Sequence, residues 1–192
     1  MTATELSRDE IVELLTELGR RLAMRGVHAD LYVVGGAAMA LQFHARDATR
    51  DVDAVFRPPV EVAEVAREIA AERHLDPRWL NSSAAAFLPE GERVGPVMLD
   101  VPGLSVASAP AEHLLAMKLA AGRMGRDLDD LATLLDVLGI DDPHEAAALA
   151  RRVYGTASVV LSDPDDSYAL LAEDALRLLA HRRNRGSQLP ES

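Results

Sequence analysis

The sequence contains no cysteine, which excludes a disulfide scaffold, thiolate catalysis and any Cys-ligated zinc or iron–sulfur centre. It also lacks any window approaching the roughly 18 unbroken apolar residues of a membrane span. The acidic N-terminus is unlike a basic signal-peptide leader, so the expected address is the cytoplasm, with no membrane partner. The third scarcity is lysine: of 20 basic residues, 19 are Arg and only Lys118 is Lys. A GC-rich coding bias accounts for the trend and for the many Ala. Under that bias a lone ammonium is either a chance survivor or a group whose chemistry guanidinium cannot copy.

What remains is ordinary soluble-protein material, 48% hydrophobic and 27% charged over 192 residues, enough for one domain or a core with a helical appendage. The net charge of −11 argues against a broad nucleic-acid-binding face, because phosphate affinity comes chiefly from Lys and Arg. The acidity is uneven. Residues 127–176 carry 12 Asp/Glu against 2 Arg, whereas residues 1–126 stand at only −4 and the stretch 177–185 adds four Arg.

Hydrophobic periodicity divides the chain into an α/β core over 1–108, a helical region over 109–185 and a disordered tail over 186–192. Ser7 with Glu10 forms a capping box ahead of the stripe Ile11, Leu14, Leu15, Leu18 and Leu22, predicting a helix over 7–26. Leu31–Val34 reads as a buried strand, Ala37–Phe43 as a short helix, Asp51–Phe56 as an alternating strand and Val60–Arg73 as a helix. Residues 77–108 are least regular, with strands expected at Val97–Val101 and Leu104–Ala107 around Pro102-Gly103. Further helices follow Pro110, Asp127, Asp142-Pro143 and Asp163-Pro164, the last two with a capping Asp and a Pro at the start. The fold class is therefore a small mixed-sheet α/β core followed by an all-helical second half.

The chemistry concentrates in Val33-Val34-Gly35-Gly36 and, after a short helix, Asp51-Val52-Asp53. Alternate residues of a strand share a face, so the two carboxylates project together while Val52 enters the core. Such a pair repels itself and needs a cation; hard oxygen ligands suit Mg²⁺, which commonly takes one or two protein carboxylates plus substrate phosphates. Gly35-Gly36 at a strand-to-helix turn lets backbone N–H groups approach a phosphate with no Cβ in the way.

A strand ending in Gly-Gly, a short helix and an Asp-x-Asp strand resemble the signature of the DNA polymerase β-like nucleotidyltransferase superfamily. The run Arg46-Asp47-Ala48-Thr49-Arg50-Asp51-Val52-Asp53 is more specifically similar to AbiEii and MenT-type toxin nucleotidyltransferases. So are Leu114-Leu115-Ala116-Met117-Lys118-Leu119-Ala120-Ala121 and Arg126-Asp127-Leu128-Asp129-Asp130-Leu131, and the resemblance spans about residues 28–138. It implies that Gly35 and Gly36 hold nucleotide phosphates, with Thr49 and Arg46 beside them. It further implies that Asp51 and Asp53 bind Mg²⁺, with Mn²⁺ as the alternative, that Lys118 contacts the triphosphate, and that Asp130 is a catalytic carboxylate. Many superfamily members place a third carboxylate on a later strand, and Leu99-Asp100-Val101 has that pattern, so either Asp100 or Asp130 completes the acidic set. Residues from 139 onward match no such motif.

Each residue also has a plainer reading. Gly35-Gly36 suits an ordinary turn, the carboxylate pair suits a solvated strand face, and Lys118 suits a helix surface beside Leu114, Leu115 and Leu119. Thr49 reads more simply as a strand-start residue than as a catalytic hydroxyl. Arg126 with Asp127 or Asp130 reads as a helix-surface ion pair, and Asp100 as a turn-flanking acid. His44, His74, His113, His144 and His181 show no ligand spacing. The run His181–Arg185 reads as a disordered end or, alternatively, an RNA-contacting tail, while Arg46, Arg50 and Arg57 supply local basic charge around the proposed site.

The resemblance implies transfer of nucleotides from an NTP to an RNA 3′ end, tRNA first among acceptors, by a toxin paired with an antitoxin protein. Two alternatives stay open: transfer to a protein side chain or a small cationic acceptor such as an aminoglycoside, and a catalytically silent binding module of the same fold. The choice of NTP and the oligomeric state are not written in the sequence.

Overall fold

Ser7 begins the first long helix as expected: its hydroxyl accepts the Glu10 backbone N–H, and the Glu10 carboxylate accepts the Ser7 N–H at 2.8 Å. This capping box satisfies donors that the first turn would otherwise leave open. The computed structural model describes residues 5–45, 48–91, 93–123, 125, 127–155 and 158–186. They form a mixed α/β protein, with elements β1 (Leu6–Ser7), α1 (Arg8–Met24), β2 (Ala29–Val33), α2 (Gly35–Phe43), β3 (Ala48–Thr49), β4 (Val52–Arg57), α3 (Pro59–Arg73), β5 (Leu80–Asn81), β6 (Val97–Val101) and β7 (Leu104–Ser108), then α4 (Ala111–Ala121), α5 (Leu128–Leu138), α6 (Pro143–Tyr154) and α7 (Asp165–Gly186). The chain divides into two compact units, residues 1–110 and 111–192. Among the described residues no helix is long and apolar enough to cross a membrane.

The first unit is built on a five-stranded sheet of order β5-β4-β2-β7-β6. β2 pairs antiparallel with β4 and parallel with β7, and β6–β7 is the hairpin expected around Pro102-Gly103. Burial alternates along the strands: Val52 and Ala54 of β4 and Leu104 and Val106 of β7 are buried, while Asp53, Val55, Ser105 and Ala107 between them are less so. The buried face meets Ile11, Leu15, Leu18 and Leu22 of α1 and Val62, Val65 and Ile69 of α3. The fit of α1 against the hairpin is close. Gly103, at φ +83°, lies where a Cβ would stand 2.3 Å from the Gly19 carbonyl oxygen and 2.6 Å from the Ala23 nitrogen, a space only glycine can occupy. Trp79, wholly buried, donates its indole N–H to the Ala66 carbonyl at 2.9 Å and so ties the approach to β5 onto α3.

Ion pairs join the outer faces of α1 and α3. Arg21 bridges Glu17 at 2.6 Å and Glu72 at 2.5 Å, and Arg73 reaches Glu13 at 2.5 Å. Hydrogen bonds from Arg20 and Arg21 hold the Glu17 carboxyl down at about 2, against an ordinary value of 4.5. A depressed carboxyl stabilises the folded state above its unfolded pKa and stops doing so as pH falls through the folded one. Glu17→Gln is therefore expected to melt below the parent protein at neutral pH, with the gap closing between pH 4.5 and about 2; thermal melts across that range give the measurement.

Among its described residues the second unit has helices and no strand, with α7 packed on α5 and α6, and α4 packed on α5 and α6. Asp142 caps α6 through the His144 N–H at 2.9 Å, and Gly139 closes α5 in the left-handed conformation. The basic run expected to be a disordered end is instead the last turns of α7: Arg182 pairs with Asp129 and Arg183 with Asp136, both on α5. The acidic stretch thus supplies the counter-charges that the run needs to dock. The tail over 187–192 lies outside the described residues.

Candidate functional site

Strand β2 leads directly into the glycine pair. Val34 is extended and sits as N-cap of α2 without a side-chain cap, and Gly35 follows at φ +65°. The Val34 N–H donates to the Asp53 carbonyl at 2.9 Å, and a Cβ on residue 35 would sit 3.4 Å from Asp53 Oδ2. The first turn of α2, which holds no acidic residue, therefore begins beside the Asp53 carboxylate. Gly35→Ala is expected to cost about 1–2 kcal/mol for the left-handed backbone, read from chemical denaturation.

Asp51 and Asp53 flank the fully buried Val52 and share the opposite, half-exposed face, as the alternation predicted. Strand β4 begins at Val52, so Asp51 stands just before it. Its carboxylate is held from the side: Asn81 Nδ2 donates to Asp51 Oδ2 at 3.0 Å, while Asn81 Oδ1 accepts the Ser83 N–H at 2.9 Å, fixing the amide orientation. Asn81 is the register partner of Asp53 across the parallel β4–β5 pair. Sequence reasoning missed Asn81, because a two-residue strand carries no periodic signal and nothing local marks it as a neighbour of residue 51.

Other predicted site residues are placed elsewhere. Thr49 is buried, ends β3 instead of starting a strand, and its hydroxyl donates to the Asp51 carbonyl at 3.3 Å, so it shapes the turn into β4. Asp100 does not join the pair. It lies on β6 in one cross-sheet row with Ser105, Asp30 and Arg57, and accepts the Ser105 hydroxyl at 2.8 Å. That row is four residues along β4 from Asp53, roughly 13 Å, and three strand spacings, about 14 Å, across the sheet. The same row takes Arg57 away from the carboxylates. Arg46 and Arg126 lie outside the described residues.

In the second unit, Lys118 of α4 is buried rather than on the surface. Its ammonium pairs with Asp130 Oδ2 at 2.5 Å and Asp127 Oδ1 at 3.0 Å, with the side chains 8%, 1% and 10% exposed in that order. Two of its three donors are thereby assigned. Asp127 precedes α5 and Asp130 sits in its first turn, so the Lys118 helix and the Asp127–Asp130 stretch form one buried cluster. Among the described residues no group of three or more His, Cys, Asp or Glu is disposed to hold a metal ion, so an ion on Asp51 and Asp53 would need its remaining ligands from outside them. That pair suits an ion that completes its shell with substrate oxygens, as Mg²⁺ commonly does.

Compared with known protein families, curated proteins and solved structures, the chain gives no match.

Proposed function

We propose that the chain is a Mg²⁺-dependent nucleotidyltransferase of the AbiEii/MenT toxin type, moving a nucleotidyl group from an NTP to the 3′ end of an RNA, with tRNA as the first acceptor to test and an antitoxin protein as its partner. The observation that carries the reading is the placement of Gly35, at the head of an α2 that has no side-chain cap, beside Asp53, where an added Cβ would stand 3.4 Å from Asp53 Oδ2, with Asp51 on the same face. A phosphate drawn to the N–H groups of that turn would stand beside the Asp53 carboxylate.

In the reaction, the acceptor hydroxyl oxygen bonds to the α-phosphorus, the bond from that phosphorus to the β-phosphate oxygen breaks, pyrophosphate leaves and the hydroxyl gives up its proton. The chain's part is mostly positioning and electrostatics, since such transition states leave little covalent work for side chains. Gly35 and Gly36 bind and orient the triphosphate through backbone N–H groups. Asp51, steered by Asn81, and Asp53 would hold Mg²⁺, which when bound supplies charge neutralisation and a more acidic acceptor hydroxyl. The Lys118–Asp127–Asp130 cluster holds α4 to the start of α5.

Incubation with labelled NTPs, Mg²⁺ and total tRNA, followed by separation of RNA, protein and small-molecule fractions, tests the reading. Label in RNA supports it. Label confined to protein or to a small molecule moves the acceptor to the alternative class, and NTP binding without turnover towards any fraction marks a binding module.

A further inference from the structure

The face of the sheet that carries Asp53 continues as a surface of different character. Along β4, Asp53, Val55 and Arg57 share that face; their cross-strand partners on β2 are Tyr32, opposite Val55, and Asp30, opposite Arg57. Beyond Asp53, Val55, Arg57, Tyr32 and Asp30, with Ala107 of β7 and Arg93 from the segment before β6, line an open cavity of about 560 Å³. That is room for a nucleoside-sized molecule.

The cavity is polarised. At its floor, Tyr32 is 6% exposed, and its hydroxyl has no hydrogen-bond partner among the described residues. Tyr32 lines the cavity with its hydroxyl closed off from solvent, and since buried polar groups are nearly always partnered, that orphan hydroxyl is a donor left unclaimed. At its mouth stand the exposed Arg57 and Arg93, and Arg93 lies close enough for its charge to oppose the rise that burial imposes on the Tyr32 phenol. Guanidinium groups recognise phosphate oxygens through paired N–H donors. Val55 and Ala107 give the floor an apolar patch, and Asp30 opposite Arg57 offers an acceptor for sugar hydroxyls.

We infer that this cavity binds an organic phosphate of nucleoside-monophosphate size, its phosphate on Arg57 and Arg93 and a polar atom on the Tyr32 hydroxyl. The site is separate from the Asp51–Asp53 pair in chemistry: it uses cations and a phenol, and it needs no metal. It stands whether or not the carboxylate pair turns over a nucleotide.

Titration calorimetry in EDTA, with AMP, adenosine, ribose 5-phosphate and inorganic phosphate as probes, tests it. AMP is expected to bind saturably, with adenosine and inorganic phosphate each at least about tenfold weaker. Arg93→Ala is expected to weaken AMP about tenfold or more, while Arg20→Ala on α1 leaves it unchanged. Tyr32→Phe carries the sharpest signature: about tenfold weaker AMP binding, yet a free-protein Tm raised by about 2–4 °C, because the substitution deletes an unsatisfied buried hydroxyl. A structural role for the hydroxyl would lower both. The inference is overturned by no saturable AMP heat up to about 10 mM, by binding that appears only with Mg²⁺, by inorganic phosphate binding as tightly as AMP, or by AMP affinity unmoved in both Arg93→Ala and Tyr32→Phe.

Discussion

Lys118→Met is expected to destabilise the helical second unit by about 3–5 kcal/mol, because it strips the ammonium from two buried carboxylates, Asp127 and Asp130, whose desolvation it compensates. Methionine keeps the length and the apolar stem, so the loss reports charge and not a cavity. Lys118→Arg retains the charge, yet a planar guanidinium must enter a space where the lysine is only 8% exposed, and about 1–3 kcal/mol should be lost to overpacking. Urea unfolding of both variants is the measurement. A Met variant within 1 kcal/mol of the parent would show that the cluster is an ordinary surface pairing. An activity loss in Lys118→Met bears on a triphosphate contact only when circular dichroism shows the second unit still folded.

Asp51→Asn should lower nucleotidyl transfer by about 10³-fold or more, the scale on which charge-stabilising groups act in phosphoryl transfer, with thermal stability nearly unchanged because the side chain is half-exposed. The companion variant is Asn81→Ala. Asn81 touches Asp51 and orients its carboxylate, so its removal should cost about 10–100-fold, the range typical of groups that aim a metal ligand. The loss in Asn81→Ala should be partly relieved by raising Mg²⁺, which a merely structural asparagine would not allow. Initial rates against Mg²⁺ concentration settle both. Turnover of Asp51→Asn near that of the parent protein would end the transferase proposal.

Much of this architecture is legible in local chemistry. The Ser7–Glu10 capping box, the Pro102-Gly103 hairpin turn and the Asp142-Pro143 helix start all act within a few residues of themselves, and each was found where the sequence placed it. The shared face of Asp51 and Asp53 follows from the strand period around the buried Val52. What escaped depends on partners distant along the chain. The lysine scarcity singled out Lys118, but not that its counter-ions would come from the next helix and enclose it. The arginines of 182–183 read as a tail because Asp129 and Asp136, which anchor them, stand about fifty residues earlier. Asp100 looked like a third ligand because nothing in a sequence reveals that two other strands come between β4 and β6.

The position of β2 in the sheet also sets an order of assembly. Its antiparallel neighbour β4 arrives within some twenty residues, but its parallel neighbour β7 pairs Ala29 with Leu104, some 75 residues later. Loops of that length close slowly, and their entropy is lost before the pairing returns anything. During synthesis the strand pair that carries the two carboxylates can therefore zip early, with one edge of β2 open until residue 108 is available. An exposed strand edge is a template for the wrong partner, so the interval before β7 docks is when this chain is most open to aggregation.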